Sequence, residues 1–75
     1  MTHYVEISYI ISNFPEETNS DIKALAQKYQ GIQTDRIYVS EKLKLEYLFQ
    51  HFEQVSWFTA DIQRYYPEVS LGTLS

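Results

Sequence analysis

The 75-residue sequence has no cysteine and only two glycines and two prolines. Without cysteine the chain has no disulfide, no thiolate nucleophile and none of the usual thiolate ligands of structural zinc. It does not depend on an oxidising compartment, so a cytoplasmic location is expected. No apolar run reaches the roughly 18 residues of a membrane-spanning helix, and Glu6 stands where a signal peptide would carry a positive charge. We expect neither membrane insertion nor secretion.

Basic residues are also few. Six Lys+Arg against ten Asp+Glu give a net charge of −4. The average electrostatic field of such a chain repels the phosphate backbone of nucleic acids. Four of the six bases lie between Lys28 and Lys44, which leaves a local basic patch open. The 44% hydrophobic and 16% aromatic content is enough for a core. We expect a single domain over residues 1–75 that hides only about 60% of its unfolded surface.

Helical periodicity recurs along the chain. The first stripe has apolar residues at positions i, i+3, i+4 and i+7, namely Ile22, Leu25, Ala26 and Tyr29. Ser20 or Asn19 is its expected cap, and Gly31 lies just past its end. A second helix is expected from Ser40 to about Gln54, with the stripe Leu45, Leu48, Phe49 and Phe52. A third begins at Thr59 and stops at Tyr65 or Tyr66, before Pro67. Ser70 caps a last turn with Leu71 and Leu74.

Residues 4–12 fit two periods. With period two, Val5, Ile7, Tyr9 and Ile11 face one way, as in a strand. With a helical period, Tyr4, Ile7, Ile11 and Phe14 form a stripe that ends before Pro15. A lone strand needs a partner, and residues 36–39 are the other candidate strand. We therefore favour the helix.

An internal comparison supports this preference. Residues 7–14 and 45–52 share Tyr and Phe at matching places, and Asp21-Ile22 parallels Asp61-Ile62. Tyr29 with Ile32 and Ile37 has the spacing of Tyr66 with Val69 and Leu74. The comparison suggests a duplication of residues 4–38 and 42–75, with the same secondary structure in both copies.

Residues 58–74 resemble the winged helix-turn-helix of the ferric-uptake-regulator family. In that family a capped helix ends in a Tyr-Pro turn, and a Ser-Leu-x-Thr helix enters the DNA major groove. The resemblance implies that Ser70, Gly72 and Thr73 contact DNA. The family's next contact residues and its wing have no counterpart before Ser75, so the chain is either a fragment of a longer regulator or a variant that binds protein. The family's Cys and His metal ligands are absent, and no metal site is expected.

A looser version of the pattern occurs in the first half. The spacing from Ile32 to Ile37 fits a recognition helix with three outward polar residues, namely Gln33, Thr34 and Arg36.

Catalytic patterns are missing. The two histidines, His3 and His51, lie far apart in the sequence, and His51-Phe52-Glu53 has only the H-x-E half of a zinc deaminase signature. No Walker, G-x-S-x-G or G-x-G-x-x-G pattern occurs. We expect no enzyme, no cofactor and no small-molecule substrate.

Aromatic residues flank the third predicted helix in two pairs, Trp57-Phe58 and Tyr65-Tyr66. Aromatics beside acidic residues are typical of a protein-binding surface rather than of a nucleic-acid platform.

Together these patterns predict a mainly α fold, a small bundle of three to five helices with a helix-turn-helix-like C-terminal half. The leading functional hypothesis is a non-catalytic DNA-binding regulator that acts as a homodimer. The alternative is an acidic adaptor, inhibitor or antitoxin-like module that binds a protein partner through its aromatic residues.

Overall fold

The computed structural model describes residues 2–74, which form two helices packed on one antiparallel sheet. The elements in chain order are β1 (His3–Ile10), a 3-10 turn (Ile11–Asn13), α1 (Thr18–Lys28), β2 (Ile32–Val39), β3 (Lys42–Phe49), α2 (Phe52–Tyr65) and β4 (Ser70–Leu74). The strand order is β2-β3-β1-β4, and every neighbouring pair is antiparallel. The predicted mainly α bundle is therefore wrong: the fold is α+β.

Residues 3–10 form the central strand β1 rather than the favoured helix. Val5 and Ile7 are fully buried and Tyr9 nearly so, while the residues between them are partly exposed. The period-two interpretation was the right one. The strand has its partners in β3 and β4, and neither segment was recognised as a strand.

The helix predicted from Ser40 to Gln54 is also wrong, because most of this segment is β3. Its buried residues alternate strictly and are Leu43, Leu45, Tyr47 and Phe49. A helical stripe that began at Leu45 shared two of these residues, so both periods fitted the same apolar positions. Ser40 does not cap a helix but lies in the turn between β2 and β3, with a positive φ of 53°.

Up to Leu74, the C-terminal half contains no helix-turn-helix. Thr59 lies inside α2, where its hydroxyl donates a hydrogen bond to the Val55 carbonyl at 2.8 Å. The helix ends at Tyr65, as the following Pro67 predicted. Ser70 to Leu74 form the edge strand β4 instead of a recognition helix. Extended backbone at Ser70 removes the helix N-terminus on which the predicted DNA contact depended.

The helix predicted around Ile22 is present as α1, but its ends differ from those expected. Ser20 does not cap the helix, since its hydroxyl donates to the Glu17 carbonyl at 2.9 Å. At the C-terminus Gln30, not Gly31, adopts the left-handed conformation, with φ of 64°. The Gly31 N–H donates to the Ala26 carbonyl at 2.7 Å and the Gln30 N–H to the Gln27 carbonyl at 3.0 Å, which is the Schellman arrangement.

The core lies between the sheet and the helices. Phe58 of α2 packs against Phe49 at 5.1 Å and against Tyr47 at 5.7 Å between ring centroids. Ile22 of α1 and Ile62 of α2 are both fully buried in this core, so both helices pack on the same face of the sheet. One face of the sheet is therefore covered, and the other face is open.

Candidate functional site

The residues proposed to contact DNA lie at opposite edges of the sheet. Ser70, Gly72 and Thr73 are on β4, whereas Gln33, Thr34 and Arg36 are on β2. The strands β3 and β1 separate these two edges. The structure thus does not bring the two predicted sets together, and neither set lies on a helix. DNA recognition by a helix-turn-helix is overturned by this geometry.

The four aromatic residues proposed for protein binding do not share one surface. Trp57 and Tyr65 are exposed on α2, at 56% and 58%. Phe58 is fully buried in the core, and Tyr66 is half-buried against Phe14. Trp57 lies beside Tyr29, the residue that follows α1, at 6.1 Å between ring centroids. The sequence pattern therefore mixed core and surface residues on a single helix.

A different surface, on β2, concentrates exposed apolar side chains. Three adjacent residues near the end of this strand, Ile37, Tyr38 and Val39, are 43%, 55% and 62% exposed. We call them the β2 tip. Tyr38 is paired with the buried Leu43 and so lies on the helical side of the sheet. Its exposure means that this end of β2 extends past the helical layer. The sequence indicated a candidate strand at residues 36–39, which lies within β2. The recognition-helix pattern that ends at Ile37 pointed to a different structure, and neither pattern indicated an edge position.

The turn after the β2 tip determines which backbone groups face the free edge. Ser40 and Glu41 both have positive φ, at 53° and 67°, as in a type I′ hairpin. In such a hairpin the flanking residues, here Val39 and Lys42, form the hydrogen-bonded pair. Hydrogen-bonded and non-hydrogen-bonded pairs alternate along an antiparallel ladder. Arg36 and Tyr38 therefore direct their N–H and C=O groups away from β3, towards the free edge.

The open face of the sheet carries rows of residues that run across the strands. One row is apolar and contains Ile32, Leu48, Tyr4 and Leu74. The next row is acidic and contains Asp35, Glu46 and Glu6. Glu6 pairs with Lys44 at 3.3 Å, and Glu46 accepts a hydrogen bond from Thr34 at 2.8 Å. A nucleic-acid platform alternates aromatic and basic residues, so this face lacks that chemistry.

A cleft of about 280 Å³ lies between α1 and β2, next to Gly31 and Tyr47. The Tyr47 hydroxyl donates a hydrogen bond to Gln33 Oε1 at 3.3 Å. Burial is the main reason that the pKa of Tyr47 rises from 10.0 to about 12, and Tyr9 adds to it. The Tyr47 phenol stays protonated near neutral pH and is a poor general base there.

Two further properties bear on function. Within residues 2–74, no group of three or more His, Asp or Glu side chains is placed to hold a metal ion. Neither α1 nor α2 combines the length and the apolar character that a helix needs to cross a membrane.

The order of elements and strands is that of the ferredoxin-like βαββαβ class. No protein-family model matches the sequence, and no curated protein matches it. Among solved structures, the chain is similar to the de novo designed protein Ferredog-Diesel, with a TM-score of 0.60 over 100% of this chain and 85% of that chain. The two sequences are 15% identical, so this similarity shows the fold alone. Function must be argued from the surface.

Proposed function

We propose that the protein is a non-catalytic module that binds another polypeptide by adding its strand to the free edge of β2. The observation that carries this proposal is the β2 tip, where three adjacent large side chains are each at least 43% exposed on an edge strand. Added strands gain affinity from backbone hydrogen bonds and specificity from alternate side chains. The β2 tip offers exposed side chains, and Tyr38 within it directs its N–H and C=O outwards. Arg36, just before the β2 tip, adds an outward C=O, while its N–H donates to Asp35 Oδ1 at 2.8 Å.

The opposite edge of the sheet is less suited to this role. β4 has five residues against eight in β2, and its single strongly exposed large hydrophobic residue is Leu74. Natural edge strands are protected by charge, proline or bulges. β2 has its register shift between Gln33 and Asp35, so the β2 tip lies beyond this protection and is itself uncharged.

Photocrosslinking in the native host tests the proposal. A photoreactive phenylalanine analogue replaces Tyr38 in one variant and Tyr65 in a matched control, because the two tyrosines are 55% and 58% exposed. We expect the Tyr38 position to crosslink one polypeptide in a saturable manner. The added change Ile37→Lys should abolish that product, because it places a charge in the apolar contact.

Equal products from the Tyr38 and Tyr65 positions would contradict binding at β2. Products that survive Ile37→Lys would also contradict it.

A further inference from the structure

We infer that the strand bound at β2 is the β2 of a second copy of this chain, paired antiparallel about a two-fold axis at Ile37. This inference rests on the proposed function, because it names the partner of the same edge. It makes the protein a homodimer whose two sheets join into one continuous eight-stranded sheet.

Side-chain direction limits the registers in which β2 can pair with itself. Residues directly opposite each other in an antiparallel pair point to the same face, so a two-fold axis normal to the sheet must pass through a residue. An axis at Asp35 or Arg36 sets like charges opposite each other, which destabilises the pair. An axis at Val39 sets Tyr38 opposite Ser40 in the turn. Of the centres beyond the register shift at Gln33 and Asp35, Ile37 and Tyr38 remain.

Backbone groups favour Ile37 over Tyr38 as the centre. With the axis at Ile37, Arg36 lies opposite the partner's Tyr38, and Tyr38 lies opposite the partner's Arg36. Both residues face the free edge, so the two pairs can form four N–H···O=C hydrogen bonds. The Arg36 N–H donates to Asp35 Oδ1 at 2.8 Å in the single chain, so two of the four bonds require Asp35 to release it. With the axis at Tyr38, the central pair forms two such bonds, and Arg36 lies opposite Ser40 in the turn.

The side chains of the Ile37 register are self-complementary. Each Arg36 guanidinium meets the partner's Tyr38 ring, a cation–π arrangement, on the helical side of the sheet. The two Ile37 side chains meet on the open face at the close spacing of a non-hydrogen-bonded pair. Asp35 lies opposite the partner's Val39, and Lys42 is the residue paired with Val39 on each copy. A carboxylate therefore approaches a lysine rather than another carboxylate.

Charge does not add to the attraction between two copies, since each chain carries −4 overall and the facing hairpins are both basic. The acidic row of the open face is partly engaged within its own chain by Lys44 and Thr34. The hairpin from Arg36 to Lys44 carries three bases and one acid, namely Arg36, Lys42 and Lys44 against Glu41. Contact through one short strand buries less than the roughly 1,200 Å² of a stable interface. We therefore expect a reversible dimer that forms at micromolar or higher concentration.

Single-cysteine variants test the register cleanly because the chain contains no cysteine. Cα atoms of a non-hydrogen-bonded pair lie about 4.5 Å apart, which a disulfide can bridge. Under a glutathione redox buffer, Ile37→Cys should form a disulfide-linked dimer. Ser70→Cys, which places an exposed cysteine on the other edge strand, should remain monomeric.

Sedimentation equilibrium of the unmodified chain provides the second measurement, from about 5 μM to about 1 mM. We expect concentration-dependent dimerisation that Ile37→Lys weakens at least about tenfold. Ile10→Lys is the matched control, since Ile10 is 37% exposed on the same face but lies on a central strand. Circular dichroism verifies that both variants fold.

A monomer at every concentration, with no Ile37→Cys disulfide, would overturn the second copy as partner. The proposed function would still stand if the Tyr38 position then crosslinked a different polypeptide. A dimer insensitive to Ile37→Lys would overturn the inference as well. Disulfide formation by Tyr38→Cys but not by Ile37→Cys would overturn the register.

Discussion

The two halves of the chain, β1–α1–β2 and β3–α2–β4, follow the same βαβ path and differ in where they place their apolar surface. Each helix is followed by a tyrosine that donates a hydrogen bond to an aspartate of the other helix. The Tyr29 hydroxyl donates to Asp61 Oδ2 at 2.5 Å, and the Tyr66 hydroxyl donates to Asp21 Oδ2 at 3.3 Å. These residues are the ones that the internal sequence comparison matched. The duplication itself stays a prediction.

The halves differ in their last strands, β2 and β4, and in the surroundings of their glycines. Gly31 precedes β2 and is packed into the core, whereas Gly72 lies exposed within β4. β2 ends in the exposed β2 tip, whereas β4 is short. Similar helix contacts therefore support two edge strands of different length and apolar exposure, β2 and β4.

Replacing each glycine with alanine should give the largest difference between the halves in the free energy of unfolding. A Cβ on Gly31 would lie 2.5 Å from Phe49 Cζ, and Phe49 cannot yield easily because it is buried against Phe58. Gly31→Ala should lower the free energy of unfolding by about 2–3 kcal/mol in urea denaturation. Gly72→Ala meets no atom within 4 Å and should raise it by about 0.5 kcal/mol. Equal changes in the free energy of unfolding for the two variants would contradict the difference in packing around the two glycines.

Tyr47 of the second half should make stability depend on alkaline pH. Its pKa is raised from 10.0 to about 12, mainly by burial, so the folded state keeps a proton that the unfolded chain has lost. The stabilisation is complete below about pH 10 and decreases as the pH rises towards 12, by about 2 kcal/mol in total. Urea denaturation at several pH values, with tyrosinate absorbance, measures it.

Tyr47→Phe is the control for this pH dependence. Burial also raises the pKa values of Tyr9 and Tyr66, so a weaker decrease should remain. An unchanged decrease in Tyr47→Phe would assign the effect to other groups.

The turn that joins the halves should be improved by residues suited to positive φ. Ser40 and Glu41 have φ of 53° and 67°, and Asn-Gly is the preferred pair in a type I′ turn. The double change Ser40→Asn with Glu41→Gly should raise the free energy of unfolding by about 1 kcal/mol. Glu53→Gly, in the first turn of α2, should lower it. A destabilised Asn-Gly variant would show that the turn is not strained.

The two interhelical hydrogen bonds should contribute less to the free energy of unfolding than the features above. Their two contributions should also be unequal. The Tyr29–Asp61 bond is the shorter one, and hydrogen bonding to Asp61 is the main cause of the raised pKa of Tyr29. Tyr29→Phe should therefore destabilise the protein more than Tyr66→Phe. Double-mutant cycles with Asp61→Ala and Asp21→Ala, which remove the acceptors, isolate each pair. A larger coupling for Tyr66–Asp21 would reverse this ranking.

Local signals predicted part of the fold correctly. The stripe from Ile22 to Tyr29 indicated α1, and Pro67 indicated the end of α2 at Tyr65. The comparison of residues 7–14 with 45–52 predicted that both segments share one secondary structure. That shared structure was predicted to be helix, which is wrong, because residues 7–10 lie in β1 and residues 45–49 lie in β3. The sequence indicated that the two segments are alike, but it did not indicate that they contain strands.

The candidate site was not predicted, because its definition depends on pairing. Ile37 and Val39 are ordinary apolar residues in the sequence, and they become a surface only because β2 occupies an edge of the sheet. Phe58 and Trp57 show the converse, since two adjacent aromatics on α2 have opposite environments, fully buried and 56% exposed.

By itself the sequence determined properties that depend on composition and near neighbours, namely the absence of disulfides, the acidic charge, the position of α1 and the stop before Pro67. Only the tertiary structure decided that residues 3–10, 42–49 and 70–74 are strands and that β2 is an edge. Helices satisfy their backbone hydrogen bonds within one segment, whereas a strand obtains them from segments far along the chain, so apolar periodicity alone could not choose between them.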